Sequence, residues 1–189
     1  MVHPPVVIVD RQDRVVGAAP LKDVWAKGLY HRVVRIMVED QSGRILLQRR
    51  RDNMELFPGC WETSASGHVD KGFSYEQTAK QEVAEEIGIA HPKLSRIDTY
   101  FEKSTYQGKH MNVFARVYRT QATEDIRPGT DEVAELRWFT VEEARRLVRF
   151  HPDQVTYGLR EVIEHYYDDP TERPLKRTLA RFRAAFSVR

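Results

Sequence analysis

Cysteine is almost absent from this chain: Cys60 is the single one in 189 residues. An internal disulfide is thereby excluded, and the composition fits a reducing, cytoplasmic setting. Long apolar runs are missing as well. No stretch of eighteen or more apolar residues occurs, so neither a membrane span nor a membrane partner is expected. The opening MVHPPVVIVDRQDR lacks the basic start, long apolar core and small-residue cleavage site of a secretory leader. Charge of one sign is scarce too: 30 Lys and Arg against 28 Asp and Glu leave a net +2, too small to argue for nucleic acid as a partner. The positive charge is nonetheless uneven, with one cluster at Arg49-Arg50-Arg51 and another in the tail after Pro170. In that tail Leu175, Leu179, Phe182 and Phe186 are spaced for one apolar face, which favours an amphipathic helix over an RNA-binding arm. An apolar fraction of 41% and a charged fraction of 31% describe a soluble globular protein, and 189 residues suit one domain with a substantial core.

The pattern along the chain mixes strands and helices without strict alternation. Val6–Val9 and Val15-Val16-Gly17 suggest a hairpin, and Leu21–Lys27 a short helix. Arg32–Glu39 alternates and is rich in β-branched residues, so it reads as a strand; Asp40–Gly43 turns it back into Arg44–Gln48. Leu56–Gly59 reads as a loop and Trp61–Ser66 as one strand. Ser74 with Gln77 forms a capping box and Gly88 a stop, which predicts a helix over Tyr75–Ile87 with Ala79, Val83 and Ile87 facing the core. Leu94–Lys103, His110–Arg119 and Val133–Phe139 are further strands; Val141–Val148 and Asp153–Tyr167 are helices. An α+β fold with a mixed β-sheet follows.

The most informative stretch is GHVDKGFSYEQTAKQEVAEEIGI, residues 67–89. A helix turns about 100° per residue, so Glu82, Glu85 and Glu86 share one face within an arc of roughly 100°. Three carboxylates so placed repel one another, and a hard divalent cation would remove the repulsion, since magnesium takes carboxylate and phosphate oxygens together. A diphosphate needs that charge neutralised before a nucleophile can approach, together with a base for water and cationic groups for the remaining oxygens. Arg49 and Arg50 close a strand near the site and suit phosphate contacts; Lys71 lies in the loop before the helix. Glu132 and Glu135, in DEVAELRWFT, and Glu82 are the candidate bases.

The 23-residue stretch resembles the Nudix signature: Gly67, Glu82, Val83, Glu85, Glu86, Gly88 and Ile89 all fall in register. The resemblance implies a helix–sheet–helix sandwich, formed here as a single Nudix domain over 1–189 with its core at about 30–150, an N-terminal hairpin in 1–29 and C-terminal helices in 151–189. It implies Mg²⁺ as cofactor, with Mn²⁺ as a substitute, held by Glu82, Glu85, Glu86 and the Gly67 carbonyl. It implies a small-molecule diphosphate substrate and allows a homodimer. Two positions depart from the pattern. Phe73 stands where the first Glu is expected and Gln81 where the Arg is expected, a pair that braces the loop against the helix in the family. Loss of both is self-consistent, and the expectation is that packing of Phe73 holds the loop instead.

LYHR, residues 29–32, and LFPGCWETSASGH, residues 56–68, resemble the isopentenyl-diphosphate isomerase branch of the same superfamily. In that branch a Cys before the Gly-His or Ser-His pair transfers the proton; here the position is Ser66, a far weaker acid, while Cys60 lies upstream at a non-catalytic position. His31 and His68 match two histidines that bind metal in the isomerases. The resemblance therefore implies a Mg²⁺-dependent hydrolase of a nucleoside diphosphate derivative or related organic diphosphate, built on an isomerase-like scaffold. An isopentenyl-diphosphate isomerase and a non-catalytic ligand-binding module are the alternatives.

Overall fold

The computed structural model describes residues 4–122 and 126–167. The tail helix expected after Pro170 lies outside the described residues. The order is β1 (Val6–Val9), β2 (Val15–Ala19), α1 (Leu21–Lys27), β3 (Tyr30–Glu39), β4 (Ile45–Arg50), β5 (Trp61–Glu62), β6 (Ala65–His68) and α2 (Tyr75–Ile87). Then follow β7 (Ser95–Tyr106), β8 (Lys109–Gln121), β9 (Val133–Phe139), α3 (Val141–Phe150) and α4 (Tyr157–Tyr166). The described strands join in one mixed sheet centred on β3, which runs parallel to β8 and antiparallel to β1, β4 and β6. β4 continues the sheet to β5 and β9, and β8 pairs β7 in a long hairpin.

Both faces of β3 are covered, which is why Val33, Val34, Ile36, Met37 and Val38 are all buried. Val34, Ile36 and Val38 pack under α2 with Ala79, Val83 and Ile87. Met37, with Ile45 and Leu47 of β4, packs under α3 and α4 against Ala144, Val148, Leu159 and Val162. A third cluster gathers Val33 of β3 and Met111 and Val113 of β8 around Val24 and Trp25 of α1. The result is the helix–sheet–helix sandwich. No helix among the described residues is long and apolar enough to cross a membrane.

α2 begins and ends where its caps dictate. The Ser74 hydroxyl accepts from the Gln77 N–H at 3.3 Å and the Gln77 side chain accepts from the Ser74 N–H at 3.0 Å. Gly88 ends the helix in the left-handed region at φ 82°, a conformation that costs glycine nothing. Ser74→Ala should therefore destabilise the protein by about 1 kcal/mol in denaturant titrations, because an exposed cap is lost and no core packing is disturbed.

Two expected elements divide. The strand expected over Trp61–Ser66 is β5 and β6 with buried Thr63 and Ser64 between them. The Ser64 hydroxyl donates to the Leu46 carbonyl at 2.5 Å and accepts from the Val38 N–H at 2.7 Å. That pair of bonds lets the chain leave β4 and cross to β3. The helix expected over Asp153–Tyr167 is a single 3₁₀ turn at Pro152–Gln154, a break, and α4. Thr156 causes the break: its N–H bonds the Trp61 carbonyl at 2.9 Å and its hydroxyl caps α4 through the Leu159 N–H.

Candidate active site

α2 lies on β6, and Gly67 makes the approach close. A Cβ at Gly67 would sit 2.0 Å from Glu82 Oε1, so a glycine is what admits the carboxylate there. Glu86, 5% exposed, is fixed by two donors: Gln48 Nε2 at 3.0 Å and the Ser66 N–H at 2.9 Å. Glu85 is exposed and accepts from Gln81 Nε2 at 2.9 Å. The shared face expected of the three glutamates thus divides into an inward pair, Glu82 and Glu86, and an outward Glu85. Gln81, at the position of the family's Arg, serves Glu85 rather than the loop.

The inward pair is held well above the ordinary carboxylate range. Burial is the largest cause for Glu82, pushed up to about 9, with the charges of Glu86, Glu85, Glu132 and Asp70 adding to it. Burial likewise pushes Glu86 up, to about 8, against the lowering effect of its Ser66 and Gln48 hydrogen bonds and of Arg50; Glu132 raises it further. Each therefore keeps its proton in the metal-free fold above the 4.5 at which it would ionise when unfolded. Between about pH 4.5 and 9 the folded state binds more protons than the unfolded one, so stability falls as pH rises through that window. Thermal unfolding in EDTA should show a melting temperature that declines from about pH 5 towards pH 9. Added Mg²⁺ should restore more stability at the alkaline end than at the acid end, since the cation favours the ionised pair.

These residues fit a hard cation. The donors are carboxylate oxygens, their proximity is unfavourable without a positive charge, and Asp70 and Glu132 add to the negative potential. Among the described residues no group of three His, Cys, Asp or Glu is gathered to hold an ion by itself. Magnesium does not require one, because it takes one or two carboxylates and completes its shell with water and substrate phosphate.

The other expected residues distribute over both faces of the sheet. Arg50 points to the α2 side, where its charge acts on Glu86 and its Nε donates to the Leu56 carbonyl at 3.0 Å. Arg49 points the other way and meets Glu135, its cross-strand partner, at 4.0 Å. The structure thus separates Arg49 and Glu135 from Glu82 and Glu86. Glu132 comes close because its loop docks on the end of α2, where the Gly129 N–H bonds the Glu86 carbonyl at 2.9 Å and the Arg127 N–H the Ile87 carbonyl at 3.3 Å. Lys71 is exposed, with its N–H on the Pro5 carbonyl at 2.9 Å. Phe73 is 44% exposed, so its packing does not hold the loop. Backbone bonds do so instead: Lys71 to Pro5, Val7 to the Val69 carbonyl, and Phe73 N–H to the Asp70 carbonyl. Gln48 and Asp70 are not among the residues expected from sequence. Gln48 has a signal there: it is the polar member of the alternating Leu46-Gln48-Arg50 set facing α2.

Ser66 and His68 belong to the opposite face, since β6 pairs Arg35 with Ser66 and Val33 with His68. The rings of His31 and His68 stack with centroids 5.3 Å apart. Cys60 is buried and its thiol, pushed up by burial, donates to the Asp153 carbonyl at 3.5 Å.

Comparison with known proteins agrees with this architecture. The NUDIX domain family model matches residues 29–166, and the chain belongs to the Nudix family. It is 32% identical over 163 residues to an isopentenyl-diphosphate Delta-isomerase of Nocardia farcinica, covering 85% of this chain and 93% of that one. It is 34% identical over 127 residues to an uncharacterized Nudix hydrolase of Streptomyces coelicolor, covering 67% of this chain and 69% of that one. A crystal structure from Deinococcus radiodurans superposes with a TM-score of 0.71 at 21% identity over 87% of this chain and 99% of that chain, which speaks for the fold.

Proposed function

We propose that the protein is a Mg²⁺-dependent hydrolase of a diphosphate linkage in a nucleoside diphosphate derivative or a related organic diphosphate. The observation that carries this reading is the inward pair of half-buried Glu82 and buried Glu86, brought against β6 by Gly67, whose ionised forms burial and the neighbouring carboxylates disfavour unless a cation joins them. Glu82 and Glu86, with the Gly67 carbonyl, would hold Mg²⁺ or Mn²⁺, and the outward Glu85, bonded to Gln81, would add its charge at the rim. When bound, the ion supplies neutralisation of the diphosphate charge and a more acidic water. Gln48 and the Ser66 N–H orient Glu86 so that one oxygen remains for the ion. Arg50, on the same side, binds phosphate oxygens, and Lys71 on the loop can reach outer ones. Glu132 holds the proton taken from water, with Glu82 as the competing base. Arg49 and Glu135 lie 4.0 Å from each other on the other face.

Purified protein with Mg²⁺ should release phosphate-containing products from at least one member of a panel of organic diphosphates. Ligand binding without turnover under Mg²⁺ or Mn²⁺ would instead establish a binding module. The isomerase reading is favoured by the Nocardia relative. Ser66 stands against it, because a hydroxyl does not replace a thiol in proton transfer. Deuterium exchange into isopentenyl diphosphate decides between the two.

A further inference from the structure

The start of α2 is gripped by the N-terminal hairpin, a part of the chain that the hydrolase reading leaves unused. Asp10 builds the turn between β1 and β2: its Oδ1 accepts from the Gln12 N–H at 2.8 Å and from the Arg14 N–H at 3.0 Å. Asp13 sits in that turn at φ 60°, in the left-handed region that Asp and Asn tolerate better than other residues with a side chain. Arg32 of β3 donates from Nε to Asp13 Oδ1 at 2.7 Å and from a terminal nitrogen to the Asp13 carbonyl. The hydroxyl of Tyr75, the first residue of α2, lies 3.2 Å from each Asp13 carboxylate oxygen and 3.2 Å from the Phe114 carbonyl. Tyr75 is buried, and the guanidinium carbons of Arg32 and Arg116 lie 4.9 Å and 3.9 Å from its ring centroid. Backbone bonds from the same hairpin hold the loop that leads into the helix: the Val7 N–H donates to the Val69 carbonyl at 2.8 Å and the Lys71 N–H to the Pro5 carbonyl at 2.9 Å.

These contacts bear on the acidic site through the helix. Tyr75, Ala79, Glu82, Val83 and Glu86 follow one another at helical spacing, so the face that begins at Tyr75 ends at the inward glutamates. Ala79 and Val83 pack on the core between them. Apolar contact is non-directional and leaves open how the helix slides or turns on the sheet; hydrogen bonds settle it. The C-terminal half of α2 has Glu86 on Gln48 and on the Ser66 N–H. Its first residue has Asp13. Phe73 and Gln81 supply no such anchor, since Phe73 is exposed and Gln81 bonds Glu85. The fit to be preserved is close, because Glu82 Oε1 lies 2.0 Å from where a Cβ on Gly67 would stand.

We propose that Asp13 is a positioning residue of the acidic site: acting through Tyr75, it fixes the seating of α2 on the sheet and with it the placement of Glu82 and Glu86 against β6. The inference rests on the proposed cation site, whose ligands it places. Asp13 and Tyr75 touch neither ion nor substrate.

Mn²⁺ affinity of the full chain, by equilibrium dialysis, reads the seating without recourse to turnover. Asp13→Gly removes the carboxylate while the left-handed backbone costs glycine nothing, and Tyr75→Phe removes only the hydroxyl. Each should weaken Mn²⁺ binding by about tenfold, the low end of what loss of support to a metal site produces. Together they should weaken it no further than Asp13→Gly alone, since the two changes break one contact. Asp13→Asn keeps an Oδ1 that accepts from both Arg32 and Tyr75 and should bind Mn²⁺ as the natural chain does. Val148→Ala, in the core on the other face of the sheet, is the stability control: its cavity should lower the melting temperature and leave Mn²⁺ affinity unchanged. A loss in Asp13→Gly no greater than in Val148→Ala overturns the proposal, as do losses in Asp13→Gly and Tyr75→Phe that add. Should Asp13→Gly fail to fold, as circular dichroism would reveal, Tyr75→Phe against Val148→Ala decides. Amide exchange of the metal-free protein keeps this reading apart from the cation reading. The Ser66 N–H, bonded to Glu86 at 2.9 Å, should lose protection in Asp13→Gly and Tyr75→Phe and keep it in Val148→Ala. If the natural chain and Glu86→Gln bind Mn²⁺ equally, the cation reading fails, and Ser66 protection alone then decides: unchanged in Asp13→Gly and Tyr75→Phe, it overturns the role of Asp13.

Discussion

Glu86→Gln is expected to reduce kcat for the best diphosphate substrate by about 10³-fold or more, equivalent to roughly 4 kcal/mol of lost transition-state stabilisation. The amide keeps the shape of the side chain and a carbonyl oxygen for the Ser66 N–H and the Gln48 amide, so the fold should survive. What disappears is the charge. The same substitution should leave the metal-free protein as stable as the natural one or more so at about pH 8, because an ionised Glu86 in that position bears the cost of burial and the charge of Glu132. Activity and stability are thus predicted to move apart. Steady-state kinetics with Mg²⁺, paired with thermal melts in EDTA, measure both. A general loss of structure would instead lower them together.

Gly67→Ala should have the second largest effect. Its Cβ would lie 2.0 Å from Glu82 Oε1 and 2.2 Å from Cδ, distances that no packing accommodates. Either Glu82 swings out of the site or α2 lifts from β6. Displacement of a catalytic group by about 1 Å can cost on the order of 10²-fold, and overpacking roughly 1–3 kcal/mol of stability. The expected outcome is a kcat lowered by about that factor together with a reduced melting temperature. Gly17→Ala is the matched control, since no atom lies within 4 Å of its added Cβ. It should change neither quantity measurably.

The acidic helix is legible in the sequence because its signals are local. Ser74, Gln77 and Gly88 fix its ends, and the helix occupies Tyr75–Ile87 as those signals require. The strands β3, β4 and β9 are legible from their apolar patterns. What escapes is set by contacts distant in sequence. The division of Trp61–Ser66 depends on Ser64 reaching Leu46 and Val38, and the break before α4 on Thr156 reaching Trp61. An aromatic side chain makes packing the natural expectation for Phe73, but its loop is held through backbone bonds to Pro5 and within itself. Glu135 groups with Glu132 by proximity along the chain. Strand alternation puts it on the face of Phe139, away from α2, which a period-2 reading of VAELRWF indicates.

The account rests on a cation bound between α2 and β6. Crystals soaked in Mn²⁺ with a non-hydrolysable diphosphate, examined at a wavelength where manganese scatters anomalously, test it most directly. The account predicts a peak within roughly 2.1–2.3 Å of carboxylate oxygens of Glu82 or Glu86 and in contact with the phosphate. A bound diphosphate with no peak beside those glutamates, or with the metal at His31 and His68 instead, would contradict it.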